Sequence, residues 1–164
     1  MKIKIKMSKN TDEFDRFKPA SANFEFQKYP FYWLMRVSSA YSYRMEKSLK
    51  KGGINITAWR ILMILREMGT LSVSDIATHA VAKTPTITRA TYKLQSQGLV
   101  EISTSTTDGR VSIVKLTDQG QEALKKVIQN SQKLFESIYA DFSTEQVEVL
   151  NDTLQKLFLN LAEY

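Results

Sequence analysis

A chain of 164 residues with 43% hydrophobic and 24% charged residues has the length and composition of one soluble globular domain. The absence of cysteine and the presence of one histidine exclude disulfides, thiol redox chemistry and an all-histidine metal site within one chain. No apolar run approaches the roughly 18 residues of a membrane-spanning helix, and the lysine-rich start lacks the apolar stretch of a signal peptide. We therefore expect a cytoplasmic protein without a membrane partner.

The charge is unevenly distributed along the chain. Residues 1–115 carry 19 Lys and Arg against 9 Asp and Glu, whereas residues 116–164 carry 4 against 8. A basic body followed by an acidic end predicts that the front part faces a polyanion and that the last part has another task.

Residues 1–28 mix polar residues with scattered phenylalanines and show no sustained period, so we predict an extended arm. Its aromatic residues indicate that part of the arm docks on the body or on a partner subunit. From Pro30 apolar residues recur at intervals of three and four, which predicts a helix of about five turns that ends at Gly52 and Gly53. Ser38 interrupts its inward stripe, with Ser42 beside it. Such serines either bond the backbone of their own helix or form a cavity wall.

A second helix is predicted over residues 54–69, with Asn55 or Thr57 as its N-cap. Trp59 and Arg60 fall beside its core face. Arg60 is either a surface residue whose stem covers apolar area or a carboxylate receptor next to an aromatic wall. The core face consists of Ala58, Ile61, Leu62 and Leu65.

Residues 72–75 have the spacing of a capping box and open a short helix, which a brief connection joins to a helix over residues 84–97. In this second helix Thr84 is the expected N-cap, with Pro85 at the first helical position. Ile87, Ala90, Thr91 and Leu94 form its buried stripe. The remaining surface carries cations and hydroxyls without an acid, as a DNA-reading helix requires, although an ordinary solvated face is the alternative. This surface consists of Thr86, Thr88, Arg89, Tyr92 and Lys93.

Gly98 is expected to end the exposed helix. Residues 99–104 and 111–116 then alternate as two strands, joined by a loop that contains Asp108 and Gly109. Two helices followed by a hairpin predict a winged helix, with Arg110 near the wing tip, where it reaches a minor groove or a phosphate.

Two long helices are predicted at the end of the chain. Thr117 caps the first, and a second capping box at residues 143–146 opens the other. Their apolar stripes exceed what a small DNA-binding domain needs, so we expect them to form a dimer interface with the N-terminal helix of another chain. The alternative is an intramolecular bundle.

Five segments, at residues 71–77, 84–89, 97–101, 108–110 and 116–120, together resemble the successive landmarks of the multiple-antibiotic-resistance regulator (MarR) family. The resemblance covers residues 30–160. It implies an obligate dimer, usually a repressor, that releases DNA when a small and often aromatic anion enters a pocket between the DNA-binding and dimerisation parts. By the same resemblance Arg89 is the recognition-helix arginine, and Asp108 braces the wing arginine Arg110. The chain departs from the family pattern in a Ser- and Thr-rich wing loop without extra arginines and in a longer arm.

The predicted fold is mainly α with a small β-hairpin wing, a winged helix-turn-helix with flanking N- and C-terminal dimerisation helices. We assign residues 1–28 to the arm, 29–52 and 118–164 to dimerisation, and 53–117 to DNA binding. The predicted DNA-binding residues are Ser72, Thr84, Thr86, Thr88, Arg89, Lys93, Asp108 and Arg110. The predicted ligand-binding residues are Ser38, Ser42, Trp59 and Arg60.

These assignments predict a homodimeric repressor of a palindromic DNA operator, released by a phenolic, hydroxycinnamic or indolic acid from a catabolic pathway. A winged-helix architectural or protein-interaction module without a small-molecule effector is the alternative function. We expect no enzyme, cofactor or metal site, because the sequence has no glycine-rich phosphate loop, nucleophile elbow or metal-ligand cluster.

Overall fold

The computed structural model describes residues 11–162. The α-helices of this range are α1 (Thr11–Asp15), α2 (Pro30–Leu49), α3 (Ile56–Met68), α4 (Val73–His79), α5 (Thr84–Ser96), α6 (Asp118–Tyr139) and α7 (Thr144–Ala162). The strands are β1 (Leu71–Ser72), β2 (Val100–Thr104) and β3 (Ser112–Leu116), and short 3-10 helices cover Phe26–Lys28 and Lys50–Gly52. The chain divides into two compact units, with the boundary between Arg44 and Met45 in α2. None of the described helices is long and apolar enough to cross a bilayer.

The described part of the arm is folded in local turns, so the prediction of an extended arm is wrong for residues 11–28. The backbone N–H of Phe17 donates to the carbonyl of Phe14 at 3.0 Å, and that of Glu25 donates to the carbonyl of Arg16 at 2.9 Å. These bonds bend the chain back on itself. Residues 1–10 of the predicted arm lie outside the described residues.

Aromatic side chains hold the arm against the start of α2 within the first unit. The ring centroid of Tyr32 lies 4.6 Å from that of Phe26 and 5.0 Å from that of Trp33. The indole N–H of Trp33 donates to the carbonyl oxygen of Gln27 at 2.7 Å, which fixes the ring. Part of the arm therefore docks on its own chain, which is one of the two predicted arrangements.

The α2 helix has the predicted length, but its predicted inward stripe is buried only in the last turns. Ser38 is exposed and Ser42 is half-buried, whereas Met45 and Leu49 in the last turns are fully buried. Large apolar side chains on the same helix are exposed to solvent in the single chain, among them Trp33, Met35, Val37 and Tyr43.

The core of the second unit is built on α3. The side chain of Asn55 accepts from the backbone N–H of Ala58 at 2.8 Å, so Asn55 is the N-cap. The predicted core face is confirmed, because Ile61 and Leu62 are completely buried and the rest of the stripe is nearly so. α3 packs against α4, α5, α6 and β3. The position and tilt of the exposed helix α5 are therefore set by a well-packed neighbour.

The sheet has three antiparallel strands in the order β1-β3-β2. Ile102 of β2 pairs with Val114 of β3, and Leu71 of β1 pairs with the same residue from the other side. The sequence pattern predicts β2 and β3 but not β1, because a two-residue strand is too short to show alternation.

A tight junction joins the wing to α6. The Thr117 hydroxyl accepts from the backbone N–H of Gly120 at 2.9 Å and donates to the carbonyl of Gly98 at 2.7 Å, so the predicted cap is confirmed. A Cβ atom on Gly120 would collide with the carbonyl oxygen of Leu99, and only glycine fits there.

The last helix, α7, begins at the predicted capping box. The Ser143 backbone N–H donates to the side chain of Gln146 at 2.8 Å, and the Gln146 N–H donates back to the Ser143 hydroxyl at 3.3 Å. α7 nevertheless buries none of its residues. This finding argues against the intramolecular bundle. Its exposed apolar side chains are Val149, Leu150, Phe158, Leu159 and Leu161.

Candidate nucleic-acid interface

The α4 and α5 helices and the turn between them form a helix-turn-helix. At the start of α4 the Ser72 hydroxyl accepts from the backbone N–H of Asp75 at 3.1 Å, so Ser72 is the N-cap. The Asp75 carboxylate accepts from the Ser72 hydroxyl at 2.6 Å rather than from the Ser72 backbone N–H, so the predicted capping box forms only in part. Ser72 is only 8% exposed. Its hydroxyl is therefore used inside the protein, and the exposed hydroxyl beside it belongs to Ser74, whose oxygen lies 2.8 Å from that of Ser72.

The α5 helix begins at Thr84, one residue earlier than predicted. Its N-cap is Lys83, whose side chain makes no capping hydrogen bond, and Pro85 occupies the second helical position. The prediction that Thr84 caps the helix is therefore wrong. Thr84 is instead a helical residue with an exposed side chain. Proline at the second position is tolerated for the same reason as at the first, because N–H groups of the first turn have no helical partner.

The buried and exposed faces of α5 agree with the predicted ones. Ile87, Thr91 and Leu94 are at most 1% exposed, and Ala90 is half-buried. No acidic residue occurs along the helix. A surface of cations and hydroxyls without carboxylates suits the phosphate-lined major groove. The exposed side chains are those of Thr84, Pro85, Thr86, Arg89, Tyr92, Lys93, Gln95 and Ser96.

One predicted contact residue on this helix has a restricted role. Thr88 is half-buried, and its hydroxyl donates to the carbonyl oxygen of Thr84 at 2.9 Å. Since the only proton of the hydroxyl is used in this bond, Thr88 is left as a hydrogen-bond acceptor. Thr84, Thr86 and Arg89 remain the exposed donors of the first two turns.

The wing tip is a structured turn between β2 and β3. The Asp108 carboxylate accepts from the backbone N–H of Arg110 at 2.9 Å, and the Asp108 carbonyl accepts from Val111 at 2.9 Å. The aspartate thus braces the main chain of Arg110 rather than its guanidinium. Within residues 11–162 no carboxylate forms an ion pair with the Arg110 side chain, which is exposed.

A groove of about 270 Å³ separates α5 from the wing. It brings together three predicted DNA-binding residues, Thr84, Thr88 and Arg110. Tyr92, Ser74 and Ser112 also line the groove. The sequence places Tyr92 on the exposed surface of α5 but not among the predicted DNA-binding residues, and Ser74 and Ser112 have no predicted binding role. The spacing of Tyr92 four residues after Thr88 places both on one face of α5 and is the pattern that could have identified it.

The predicted ligand-binding residues do not line this groove. In the second unit Trp59 is 5% exposed and Arg60, the next residue of α3, is exposed. Ser38 and Ser42 belong to the first unit. Their assignment, like that of Trp59 and Arg60, stays a prediction from sequence.

A helix-turn-helix followed by a β-hairpin, with a basic exposed helix and an arginine at the hairpin tip, defines the winged-helix class of DNA-binding proteins. The MarR family model matches residues 54–112, from the start of α3 into β3. The chain is 40% identical to the HTH-type transcriptional repressor IacR of Pseudomonas putida, over 87% of this chain and 86% of that protein. The chain therefore belongs to the MarR family and is a DNA-binding transcriptional repressor.

Solved structures share the fold at lower identity. A MarR family transcriptional regulator from Silicibacter pomeroyi superposes with a TM-score of 0.76 at 22% identity, covering 84% of this chain and 93% of the other. The crystal structure of NadR in complex with 4-hydroxyphenylacetate superposes with a TM-score of 0.71 at 24% identity, covering 85% of this chain and 97% of that one.

Proposed function

We propose that two copies of this chain bind a palindromic operator and release it when a small aromatic carboxylic acid binds. The observation that carries the proposal is the exposed face of α5, where Arg89 and Lys93 stand among hydroxyls on a helix without an acid. This face lies beside the wing, which supplies Arg110. Because α5 and the wing are packed on the same core, both can contact the same DNA duplex.

Each contact follows from the exposure of the side chain. Arg89 and Thr86 are exposed donors near the start of α5 and reach base edges, with Thr88 as an acceptor. Lys93 and Thr84 contact phosphates, and Arg110 contacts the backbone or the minor groove from the wing. Asp108 contributes by holding the main chain of Arg110.

Dimerisation is supported by apolar surface that the single chain leaves uncovered. Phe158 and Leu159 of α7 are 66% and 59% exposed, and α7 buries none of its residues. We expect an exposed apolar surface of this kind to pack against the same surface of a second copy of the chain. A two-fold dimer would present two α5 helices to half-sites one turn of DNA apart, roughly 34 Å.

The effector is proposed from the chemistry of α3 and from relatives. Arg60 offers an exposed guanidinium for a carboxylate, and the preceding residue of α3 is the buried Trp59. NadR, which has the same fold, was crystallised with 4-hydroxyphenylacetate, an aromatic acid. Because α3 packs against α5, an acid bound at Arg60 could shift the position of α5 and the spacing of the two helices. The candidate ligands are phenolic, hydroxycinnamic and indolic acids of a catabolic pathway.

Selection of duplexes from a random library tests operator binding. The expected result is a palindrome with half-sites about one helical turn apart. Arg89→Ala should lower affinity for the selected duplex by about 1–3 kcal/mol and relax selection at one base pair of each half-site. Arg66→Ala on α3 is the matched control, an exposed arginine away from α5 and the wing, and should change neither. Binding without sequence preference would instead favour an architectural module.

Thermal shift with a panel of aromatic acids tests the effector. An acid present at 100 times its dissociation constant should stabilise the chain by about 2.7 kcal/mol. Arg60→Ala should abolish the shift and the release of DNA while leaving DNA affinity intact, and Arg66→Ala on the same helix is the control. If the Arg60→Ala variant still released DNA at the same ligand concentration as the wild-type chain, Arg60 would not be part of the effector site.

A further inference from the structure

The groove between α5 and the wing has a rim of polar side chains, among which Ser74, Tyr92 and Ser112 make none of the contacts proposed above. On the side of α4 and α5 the rim carries Ser74, Thr84, Thr88 and Tyr92, and on the side of the wing it carries Arg110 and Ser112. The floor is mostly apolar and consists of Val73, Thr91, Ile102 and Val111.

The charge of this lining selects an anion. Arg110 is the one charged residue among those that line the groove, and no carboxylate opposes it. Thr88 and Thr91 donate to helix carbonyls at 2.9 Å, so their protons are occupied. The phenol hydroxyl of Tyr92 has no hydrogen-bond partner within residues 11–162, and Tyr92 is 54% exposed. Tyr92 is therefore a free donor that faces the same space as the Arg110 side chain.

A mostly apolar floor under a rim that carries the Tyr92 hydroxyl as a donor and one cation matches a deoxyribose with its phosphate. The sugar carbons fit against the aliphatic floor, and the phosphate oxygens accept from the hydroxyl and the guanidinium at the rim. Tyrosine hydroxyls and arginines are frequent donors to DNA phosphates. A hydrogen bond to an ionised acceptor is about twice as strong as one between neutral groups.

We infer that this groove holds one phosphate of the operator backbone and that Tyr92 donates to the same phosphate that Arg110 neutralises. The inference rests on the proposed function and adds a residue to it. Because Tyr92 belongs to α5 and Arg110 to the wing, binding of one phosphate by both residues would make the two elements bind DNA cooperatively. Tyr92 is then a positioning contact without base preference.

Binding of two duplexes by four variants tests the inference. The duplexes are the one selected by the wild-type chain and an unrelated sequence of equal length, each measured over a series of salt concentrations. The variants are Tyr92→Phe, Arg110→Gln, the double variant, and Tyr139→Phe. Tyr139 is 50% exposed and lies at the end of α6, which makes it a matched control for a lost phenol hydroxyl.

Tyr92→Phe should weaken binding of both duplexes by the same factor, about tenfold. The slope of log affinity against log salt should not change, because no charge is lost, whereas Arg110→Gln should reduce it by about one. The double variant should lose less than the product of the two single effects, because both residues hold one phosphate. Tyr139→Phe should match the wild type.

Three results would overturn the inference while leaving the proposed function intact. They are an unchanged affinity in Tyr92→Phe, a loss confined to the selected duplex, which would make Tyr92 a base contact, and multiplicative effects in the double variant, which would assign the residues to separate phosphates. Failure of the wild-type chain to bind any duplex would overturn both proposals.

Discussion

Two amphipathic helices of this chain, α5 and α7, differ in what covers their apolar faces. The 13-residue α5 fully buries Ile87 and Thr91 and leaves Leu94 1% exposed, whereas the 19-residue α7 buries none of its residues and leaves Phe158 66% exposed. The orientation of α5 is therefore determined within one chain. We expect that the function of α7 depends on a second chain, which sets the distance between two DNA-reading units.

The same truncation in both helices should produce the largest contrast. Leu94→Ala removes a buried side chain and should lower the free energy of unfolding by about 3 kcal/mol at any chain concentration. Leu159→Ala removes a side chain that is 59% exposed and should weaken dimerisation instead, so that its effect grows on dilution. Urea unfolding at several chain concentrations, together with sedimentation, measures both. A concentration-independent loss of equal size in Leu159→Ala would show that α7 is covered by its own chain.

A smaller effect is expected at the junction that connects the DNA-reading unit to α6. Gly120→Ala places a methyl group against the Leu99 carbonyl and the Leu116 side chain and should cost about 2 kcal/mol of stability. Gly109→Ala in the wing loop is the control, because a Cβ there meets nothing within 4 Å. Urea midpoints compare the two variants. Equal stability of both would mean that the junction relaxes freely.

The smallest contrast concerns the caps of α6 and α7. Thr117→Ala should destabilise the whole unit by about 1 kcal/mol, because Thr117 also bonds Gly98. Ser143→Ala should fray only the first turn of α7, measured as faster amide exchange there. The Ser143 side chain lowers the pKa of Glu145 by hydrogen bonding, so the same variant should raise that pKa toward its ordinary value in an NMR titration. An equal global loss in both variants would contradict the separation of the two regions.

Local chemistry explains which parts of the fold were predictable from sequence. The Thr117 cap, the Ser72 cap of α4, the capping box at Ser143 and the buried stripe of α5 were predicted and are present. Asn55, one of the two caps predicted for α3, is the observed one. Each depends on residues within about one turn of one another, which a sequence pattern displays directly. The predicted N-cap of α5 was wrong because proline is tolerated at the first and at the second helical position, so Pro85 does not decide between Thr84 and Lys83 as the cap.

The amino-acid sequence by itself determined the order of the elements from α2 to α7 apart from β1, the faces that α3 and α5 bury, and the resemblance to the family to which the chain belongs. Tertiary structure decided the pairing of Leu71 with Val114, the burial of Ser72 and the placement of Tyr92 and Arg110 in the lining of one groove. The physical reason is separation along the chain. Contacts between residues tens of positions apart depend on how complete elements pack, and packing is a property of the folded core.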